Sequence, residues 1–462
     1  MGDPPGDRPP DSTDGSTRAD GDTGPRRARV VAGLTDRISS ASPFDALVGC
    51  LLVVAAGLRL YRLGDESFWL DEAITWYFVT EKYTTAEILF VLPIEDVHPP
   101  LYFLLIDLWV SLAGASESAL RFPSAVLGIA SVGLLYLLGV KLFDRWTGLI
   151  AAALLSVSSF HLYYAQEARM YTLLTALTVV SFYFFVDLVS EESYGRLSVL
   201  GYVVATVLLA YTHLFGMFVV LAQNSYLLPR AVLSSRTWPV IGRLESTSAS
   251  LRDWLGIQGI VILMAAPWWG TILFRLPSIS SGGCAGITWI PEPLPADVVT
   301  VLKRYFYYCG NPSEMSPIPE VVFLFVMALA GGLAVIGLFG SDRRPGLGRP
   351  GSVELVVLVW LLTLIVVPYV LSHTVTPILI ARYTIGASIA LFLLVGRGVQ
   401  RLRPYAPTAV RVALVGVLLV GIVAPLSGYY EDDQKRQWRD AVSSIDATDD
   451  DLVLVTKPHL VP

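Results

Sequence analysis

Two adjacent carboxylates, Asp71 and Glu72, lie in the run FWLDEA at residues 68–73, just after the first apolar stretch. A carboxylate at a membrane surface can act as a general base, taking a proton from a hydroxyl group whose oxygen attacks an electrophilic carbon. The alternative is that Asp71 caps a helix beginning at Glu72, because aspartate is favoured at helix starts. The dipeptide by itself leaves both interpretations open.

Further candidate residues lie near the predicted outer ends of apolar stretches, where a guanidinium can hold a phosphate through two parallel hydrogen bonds. The simpler alternative is that long cationic side chains reach lipid headgroups from these positions. A lone histidine before two prolines, as His98 is, is more often a hydrogen-bonded anchor than a ligand. The substrate-binding candidates are His98, Arg121, Gln166, Arg169, Lys303, Arg304, Arg382 and Tyr383, and Glu167 is a further acidic candidate for catalysis.

The elements that must position these residues are membrane-spanning helices. The 462 residues are 54% hydrophobic and only 16% charged, and the apolar stretches approach the roughly 20 residues that a transmembrane helix needs. The chain is therefore predicted to be an all-α polytopic membrane protein. The apolar segments are 44–62, 100–115, 122–142, 147–164, 170–189, 197–211, 213–229, 254–274, 319–340, 353–371, 378–396 and 408–427.

Segment 100–115 is the doubtful crossing, because it is short, contains Asp107 and follows two prolines. The distribution of Lys and Arg residues indicates whether this segment crosses the membrane, since cytoplasmic loops carry the excess of positive charge. If this segment does not cross, most loop cations lie on the cytoplasmic side, whereas a crossing would invert every later loop. We therefore expect a re-entrant or interfacial helix there and about 11 transmembrane helices. The N-terminus is then cytoplasmic, and the C-terminus and the candidate site are extracytoplasmic.

Polar segments flank and interrupt this bundle. The N-terminal segment has almost no large apolar side chains, so we expect it to be disordered. Near the C-terminus, a helix-like run is followed by a strand-like run at 451–455, which predicts a short α/β fragment at the start of a truncated domain. The predicted parts are a cytoplasmic tail at 1–43, a transmembrane domain at 44–427 with outer loops at 63–121 and 275–318, and an outer tail at 428–462.

The composition argues against several other kinds of site. Three scattered cysteines are too few for a disulfide framework or a zinc site. Since no His or Cys residues are paired at metal-ligand spacing, we predict no protein-only metal site, while a divalent cation bound by carboxylates stays open. The arginines lie in short loops between apolar spans rather than in one basic patch, so nucleic acid is not an expected partner.

Four motifs, in this order, resemble those of the GT-C membrane glycosyltransferases, which use polyprenyl-phosphate sugars. The motifs are FWLDEA at 68–73, HPPLY at 98–102, ALRFPS at 119–124 and YAQEARMY at 164–171. The chain is most similar to the dolichyl-phosphate-mannose-protein mannosyltransferase superfamily, glycosyltransferase family 39, which includes bacterial lipid A aminoarabinose transferases. Beyond residue 230 it resembles them only in its general pattern of spans.

This resemblance implies a catalytic base at Asp71, with Glu72 as its neighbour, and a second acidic residue at Glu167. It also implies that basic residues of the outer loops hold the lipid phosphate. The candidates for that role are Arg121, Arg169, Lys303, Arg304 and Arg382. The implied reaction inverts the anomeric carbon as polyprenyl phosphate leaves, and the cations stabilise the charge that develops on the phosphate.

The expected function is transfer of a sugar from a polyprenyl- or dolichyl-phosphate donor to a hydroxyl group at the outer face of the cell membrane. A hexosyl or mannosyl transferase of the protein-glycosylation type is the implied form. The expected partners are the lipid-linked sugar, membrane lipid and an acceptor protein, glycan or lipid. One alternative is a lipid-linked sugar transporter or flippase, although transporters place ionisable residues near the bilayer midplane. Another is a polysaccharide polymerase or ligase.

Overall fold

The computed structural model describes most of the predicted transmembrane domain. The chain divides into two units, residues 1–46 and 47–462, and the first unit is described only from residue 42. Residues 1–41 of the predicted disordered tail and the strand-like run at 451–455 lie outside the described residues, and α1 begins at the last residue of that tail, Pro43. The described residues are 42–189, 194–234, 250–280, 290–307, 320–340, 352–431, 434–435 and 439.

The regular structure of the described residues is helical. The helices of the first part are α1 (Pro43–Leu60), α2 (Leu70–Tyr77), α3 (Thr85–Phe90), α4 (Leu92–Glu95), α5 (Leu101–Ala113), α6 (Glu117–Leu142), α7 (Arg145–Val157), α8 (Ser159–Ala165) and α9 (Tyr171–Val189), with a π-helical turn at Phe78–Lys82. The second part contains α10 (Arg196–Ala210), α11 (Gly216–Ser234), α12 (Leu251–Ser280), α13 (Pro295–Phe306), α14 (Glu320–Phe339), α15 (Ser352–Thr374), α16 (Ile385–Arg401), α17 (Thr408–Val423) and α18 (Leu426–Glu431), with a 3₁₀ turn at Ala381–Thr384.

The number of apolar helices makes this a multi-pass membrane protein, as predicted. Among the described residues, 8 helices are long and apolar enough to cross a bilayer, or up to 9 if the bent pair α7 and α8 is one span. The other two expected spans correspond to α10, which has 15 residues, and to α11, and neither is among those helices. The total of about 11 spans therefore stays a prediction.

Helix α5 occupies the segment that was predicted not to cross the membrane. Its 13 residues extend about 20 Å, which is shorter than a hydrocarbon core of about 30 Å. The backbone N–H of Leu101 donates to the carbonyl of Tyr211 at 3.1 Å, and Asp107 accepts a hydrogen bond of 2.7 Å from the Thr85 hydroxyl on α3. These contacts support an interfacial helix that belongs with the first loop.

A hydrophobic cluster fixes the first loop against the spans. Its members come from the π-helical turn, the segment that follows it, α3, α4, α5, α6, the turn after α8 and α9. Each large side chain that is buried contributes about 1.5–3 kcal/mol. The cluster therefore holds the loop that carries Asp71 against the turn that carries Glu167. Its fully buried members include Ile88, Leu92, Tyr102, Phe103, Ile106, Leu120, Ala168 and Met170.

Helix α16 lies within the bundle, with 83% of its span buried, and packs on α7, α14 and α15. A Cβ atom added to Gly398 would lie 1.9 Å from the carbonyl oxygen of Leu333, so glycine is required where α16 meets α14. The 3₁₀ turn with Arg382 leads directly into α16. Packing of this buried helix therefore fixes the position of the Arg382 backbone.

Two predicted loop boundaries differ from the structure. Helix α6 begins at Glu117, before the predicted end of the first loop at residue 121, because the Ser116 hydroxyl caps it by accepting from the Ala119 N–H at 3.3 Å. Helix α12 continues to Ser280, past the predicted start of the long loop at 275. The described part of that long loop contains helix α13.

Candidate active site

Helix α2 carries both adjacent carboxylates in its first turn. It begins at Leu70, with Trp69 at the N-cap position, so the alternative in which Asp71 caps a helix starting at Glu72 is wrong. Successive residues of a helix point about 100° apart. Asp71 and Glu72 therefore face different surroundings, and the chemistry of each follows from its neighbours.

Glu72 points into the protein, where its side chain is 0% exposed. Its Oε1 accepts hydrogen bonds from Arg121 Nε at 2.8 Å and from the Ala168 N–H at 2.9 Å. Its Oε2 accepts from Arg121 Nη2 at 2.8 Å and from Lys435 Nζ at 3.1 Å. Burial acts to raise its pKa, but Lys435, Arg121 and the Ala168 N–H together lower the pKa of Glu72 to about 2. Glu72 is thus an ionised carboxylate whose acceptor positions are filled from within the protein.

Arg121 is likewise saturated. Besides its two bonds to Glu72, its Nη1 donates to the carbonyls of Leu63 at 3.0 Å and Glu66 at 2.8 Å, and its Nη2 donates to that of Ser67 at 3.0 Å. A guanidinium has five N–H groups, and all five of these have acceptors. Arg121 therefore closes the segment between α1 and α2 over the start of α2.

Asp71 is the more accessible of the two carboxylates, with 21% of its side chain exposed. The nearest cation is Arg382, whose Nη1 lies 3.4 Å from Asp71 Oδ2. Charge-assisted hydrogen bonds are usually about 2.7–2.9 Å long, so this pair is loose. The Arg382 guanidinium also lies 5.8 Å from the ring centre of Trp69 and 5.4 Å from that of Tyr383. Asp71 and Arg382 together present opposite charges at a partly open position.

Glu167 lies in the turn between α8 and α9 and is completely buried. Within the described part of the chain, neither of its carboxylate oxygens has a hydrogen-bond partner. Burial raises the pKa of Glu167 to about 8, against the lowering effect of Lys435, and the negative charges of Glu72 and Asp71 raise it further. At neutral pH Glu167 is therefore a neutral carboxyl group that carries a proton.

Arg169 is held by a chain of hydrogen bonds from the first loop. Its Nη2 donates to His98 Nε2 at 2.8 Å, and His98 Nδ1 donates to Asp96 Oδ1 at 2.5 Å. This arrangement requires the neutral imidazole with its proton on Nδ1. Burial acts to raise the pKa of Asp96, but the hydrogen bonds from His98 and the positive charge of Arg169 lower it to about 2. Because an uncharged imidazole orients Arg169, the hydrogen bond does not neutralise the guanidinium charge.

The turn 166–169 is also tied to the first span. Gln166 Nε2 donates to the carbonyl of Tyr61 at 2.8 Å, just after α1, and Gln166 Oε1 accepts from the Tyr429 hydroxyl at 2.8 Å. The last carbonyls of a helix have no partner within that helix, and Gln166 supplies one here. The side chain of Gln166 is thus engaged within the protein.

Arg59 stabilises the break that leads into this turn. Helices α7 and α8 are bent by 62°, and Ser158 between them is the N-cap of α8. The carbonyls at the end of α7 therefore lose their helical partners. Arg59 donates to Ser156 O at 2.9 Å and to Leu155 O at 3.1 Å. A buried arginine of the first span thus fixes the approach to Glu167.

Helix α13, which carries Lys303 and Arg304, borders the site. Its Tyr305 hydroxyl lies 2.6 Å from Thr384 Oγ1, in the same 3₁₀ turn as Arg382. Both cations are partly exposed. Tyr383 lies in the same 3₁₀ turn as Arg382, and its ring centre lies 5.1 Å from that of His213. The structure thus places these three predicted residues on elements next to Arg382.

Sequence reasoning missed three residues that organise this region. Arg59 carried a signal, because a cation inside an apolar stretch is costly and is usually retained for a purpose. The sequence signal for Asp96 was weaker and lay in its position two residues before His98. Lys435 carried none, since its partner Glu72 lies 363 residues away in the sequence. Helix α1 and the first loop supply the first two residues, and the third comes from beyond the last span.

Part of the candidate site lies in a segment of the chain that matches a known protein family. A family model described as dolichyl-phosphate-mannose-protein mannosyltransferase matches residues 97–244. This segment contains His98, Arg121 and the turn of Glu167, and the predicted resemblance to that family is confirmed over it. No curated protein matches the chain.

Solved structures extend the likeness to most of the chain. ArnT from Cupriavidus metallidurans in the apo state is 14% identical, with 84% of this chain and 63% of that chain covered and a TM-score of 0.50. The Archaeoglobus fulgidus oligosaccharyltransferase complex with Zn and sulfate is 12% identical, with 86% and 55% covered and a TM-score of 0.51. This chain spans less than two thirds of the length of either protein. The predicted fold class, an all-α membrane bundle, is confirmed, and its fold is similar to that of these two structures.

Proposed function

We propose that this chain is a membrane glycosyltransferase that moves a sugar from a polyprenyl- or dolichyl-phosphate donor to a hydroxyl group of a protein, glycan or lipid. The family match over residues 97–244 supports this class of reaction. The observation that carries the proposal is the contrast between Asp71, which is partly exposed and loosely paired, and Glu72, which is buried and saturated. A general base must be reachable by its substrate, and Asp71 meets that condition.

The proposed reaction begins when the Asp71 carboxylate takes the proton of the acceptor hydroxyl. The acceptor oxygen attacks the anomeric carbon from the face opposite the phosphate and forms the new glycosidic bond. The bond between that carbon and the phosphate oxygen breaks, and polyprenyl phosphate leaves with the bonding electrons. The anomeric configuration is inverted, and Asp71 is left protonated until it exchanges with solvent.

The leaving phosphate needs cations close to the reacting carbon. Arg169, whose Nη2 donates to the uncharged imidazole of His98, and Arg382, whose Nη1 lies 3.4 Å from Asp71 Oδ2, are the first candidates. Lys303 and Arg304, on the bordering helix α13, are the further candidates. In this proposal Arg121 and Gln166 position the site instead of contacting phosphate, Glu72 orients α2, and Tyr383 flanks the phosphate-binding arginine.

Glu167 contributes to the charge balance of the site because burial raises its pKa to about 8. At neutral pH it therefore adds no negative charge next to Asp71, which favours the binding of an anionic donor beside Arg169 and Arg382.

A metal ion is not part of the proposed step. Within the residues that the structure describes, no group of three or more His, Cys, Asp or Glu side chains could hold one. The reachable carboxylate, Asp71, lies beside Arg382 instead. We therefore derive no step through a divalent cation.

The proposed orientation follows from the charge of the loops, with the N-terminus cytoplasmic and Asp71 at the outer face of the cell membrane. A lipid-linked donor would then reach Asp71 from the membrane. A lipid-linked sugar transporter is the alternative from another class, and a polysaccharide polymerase or ligase is the alternative that shares the donor. The clustering of ionisable residues by the first loop, rather than at the midplane of the bundle, favours a transferase.

The test is transfer from a radiolabelled polyprenyl-phosphate hexose in membranes that carry the wild-type chain or Asp71→Asn. Asp65→Asn is the matched control, because Asp65 lies in the same loop but is paired with Arg62 at 2.7 Å. We expect transfer by the wild type and the control, and a loss of about 10²- to 10⁴-fold with Asp71→Asn. Equal transfer by Asp71→Asn would contradict the base assignment. No transfer by any chain, with donor moved across the membrane instead, would support the transporter.

A further inference from the structure

The chain after α18 returns to the first loop. The N–H of Gln434 donates to Glu66 Oε1 at 2.5 Å, and the N–H of Arg439 donates to Ser67 Oγ at 3.0 Å. We call residues 434, 435 and 439, the described residues after α18, the C-terminal strap. These residues lie on the segment that leads into α2.

Lys435 extends from the strap into the protein. Its side chain is 3% exposed, and its Nζ lies 3.1 Å from Glu72 Oε2 and 2.8 Å from the carbonyl oxygen of Gln166. The ring centre of Tyr163 lies 5.8 Å from the same nitrogen, within the range of a cation–π contact. An ammonium enclosed in this way is not reaching for lipid headgroups, and it costs free energy to bury.

The two hydrogen-bond partners of Lys435 are neighbours of the two acidic candidates. Glu72 follows Asp71 on α2, and Gln166 precedes Glu167 in the turn before α9. One ammonium therefore bridges the helix that carries the proposed base and the turn that carries Glu167 and Arg169. The bridge comes from a third segment, so it depends on the strap being in place.

We propose that Lys435 is a positioning residue for sugar transfer, which holds α2 and the turn 166–169 in register through Glu72 and the carbonyl of Gln166. This inference rests on the proposed function. Lys435 acts through its two partners and touches neither donor nor acceptor. Its loss therefore lowers kcat more than it changes the KM for the donor, because misplacement of reacting groups slows the step that follows binding.

Glu72 keeps most of its hydrogen bonds when Lys435 is removed, so the effect of losing Lys435 can be measured by itself. If Lys435 is replaced by Met, Glu72 retains both bonds from Arg121 and the one from Ala168. The methionine side chain retains an unbranched stem of similar length and lacks the charge. The carbonyl of Gln166 loses its ammonium donor, so the turn 166–169 loses one of its ties to α2.

The experiment compares Lys435→Met with Lys82→Met in steady-state transfer from a polyprenyl-phosphate hexose. Lys82 is the control, because it is a lysine of the first loop whose Nζ pairs with Glu95 Oε2 at 3.1 Å. We expect Lys435→Met to lower kcat about 10- to 100-fold with little change in donor KM, and Lys82→Met to leave both unchanged. An unchanged kcat, or a loss confined to donor KM, overturns the proposal.

Two further measurements separate this inference from the proposed function and from misfolding. In thermal unfolding of detergent-solubilised protein, the Tm losses of Lys435→Met and Glu72→Gln should be less than additive in the double variant, and additive losses overturn the bridge even if no chain transfers sugar. If Lys435→Met does not accumulate, Lys435→Arg and Lys435→Gln replace it. If the arginine variant retains transfer and the glutamine variant does not, the proposal is supported. Equal transfer by the two variants overturns it.

Discussion

Glu72 and Arg121 form a buried two-point ion pair, in which the Nε–Oε1 and Nη2–Oε2 distances are both 2.8 Å. The same guanidinium holds the segment before α2, while Asp71, the adjacent residue, stays partly exposed. A pair of neighbouring carboxylates is thus divided into a structural residue and a reachable one. This division separates the effects of substitutions on stability from their effects on transfer.

The first prediction is that Glu72→Gln destabilises the protein. The substitution leaves Arg121 and Lys435 as buried cations without their counter-ion, and breaking a buried ion pair costs about 3–5 kcal/mol. Asp71→Asn breaks only a long contact at a partly exposed position, so we expect little change in stability. Thermal unfolding of both variants in detergent measures the difference. If Asp71→Asn lowered Tm as much as Glu72→Gln, the structural role would not belong to Glu72.

The second prediction distinguishes Arg382 from Arg121. Replacing Arg382 by Lys removes a fork that can hold phosphate through two bonds, so we expect donor KM to rise about 10-fold or more, the effect of losing a hydrogen bond to a charged group. Arg121→Lys should lower Tm and leave donor KM nearly unchanged, because all five N–H groups of Arg121 are used within the protein. Donor KM and Tm are measured for both variants. A larger rise in donor KM with Arg121→Lys would reverse the assignment.

The third prediction concerns the tautomer of His98. Asp96 Oδ1 accepts from both the backbone N–H and Nδ1 of His98. Asp96→Asn keeps the size of the side chain but replaces the carboxylate by a weaker, neutral acceptor, so the proton is held less firmly on Nδ1 and can move to Nε2, facing Arg169. We expect transfer to fall about 10-fold or more as Arg169 loses its position. Glu95→Gln is the control, since Glu95 bonds to Tyr83 at 2.7 Å.

A double variant completes this test. In a His98→Gln background the amide oxygen can accept from Arg169 without help from residue 96, so adding Asp96→Asn should have little further effect. Transfer is measured in the single and double variants. An equal loss from Asp96→Asn in both backgrounds would show that Asp96 does not act through His98.

The fourth prediction concerns membrane orientation. Ala113 is exposed at the end of α5 and Trp146 is exposed at the start of α7, and the loop charges predict that these positions face opposite sides. In a chain whose native cysteines are replaced by Ser, Ala113→Cys should react with an impermeant thiol reagent in intact cells. Trp146→Cys should react only after lysis. The reverse pattern would invert the proposed orientation.

The sequence predicted the fold class because apolar length is a local property, which composition shows directly. Through the resemblance of their motifs it also predicted that Asp71 and Glu167 share a site; the charge of Asp71 acts on Glu167, and their shared role in transfer stays a prediction. It did not show that Arg121 is saturated by backbone carbonyls, because carbonyl positions depend on how the segment 63–67 turns. Nor did it show the role of Lys435, since a contact between chain ends leaves no local pattern.

The last prediction is a pH dependence set by Glu167. Its pKa is raised in the folded protein from 4.5 to about 8, so between these values the folded state holds a proton that the unfolded state has lost. Stability therefore falls as pH rises through this window. Glu167→Gln, which stays neutral, should remove that fall. Tm measured across the window for the wild type and Glu167→Gln checks this, with Glu87→Gln as an exposed control.

The same proton should govern donor binding. Above its pKa Glu167 adds a negative charge beside Asp71 and opposes the donor phosphate, because like charges in a poorly solvated site repel strongly. We expect the donor KM of the wild type to rise as pH passes about 8, while that of Glu167→Gln stays level. Initial rates over a range of donor concentrations at each pH measure this. An equal alkaline rise in both proteins would assign the titration to another group.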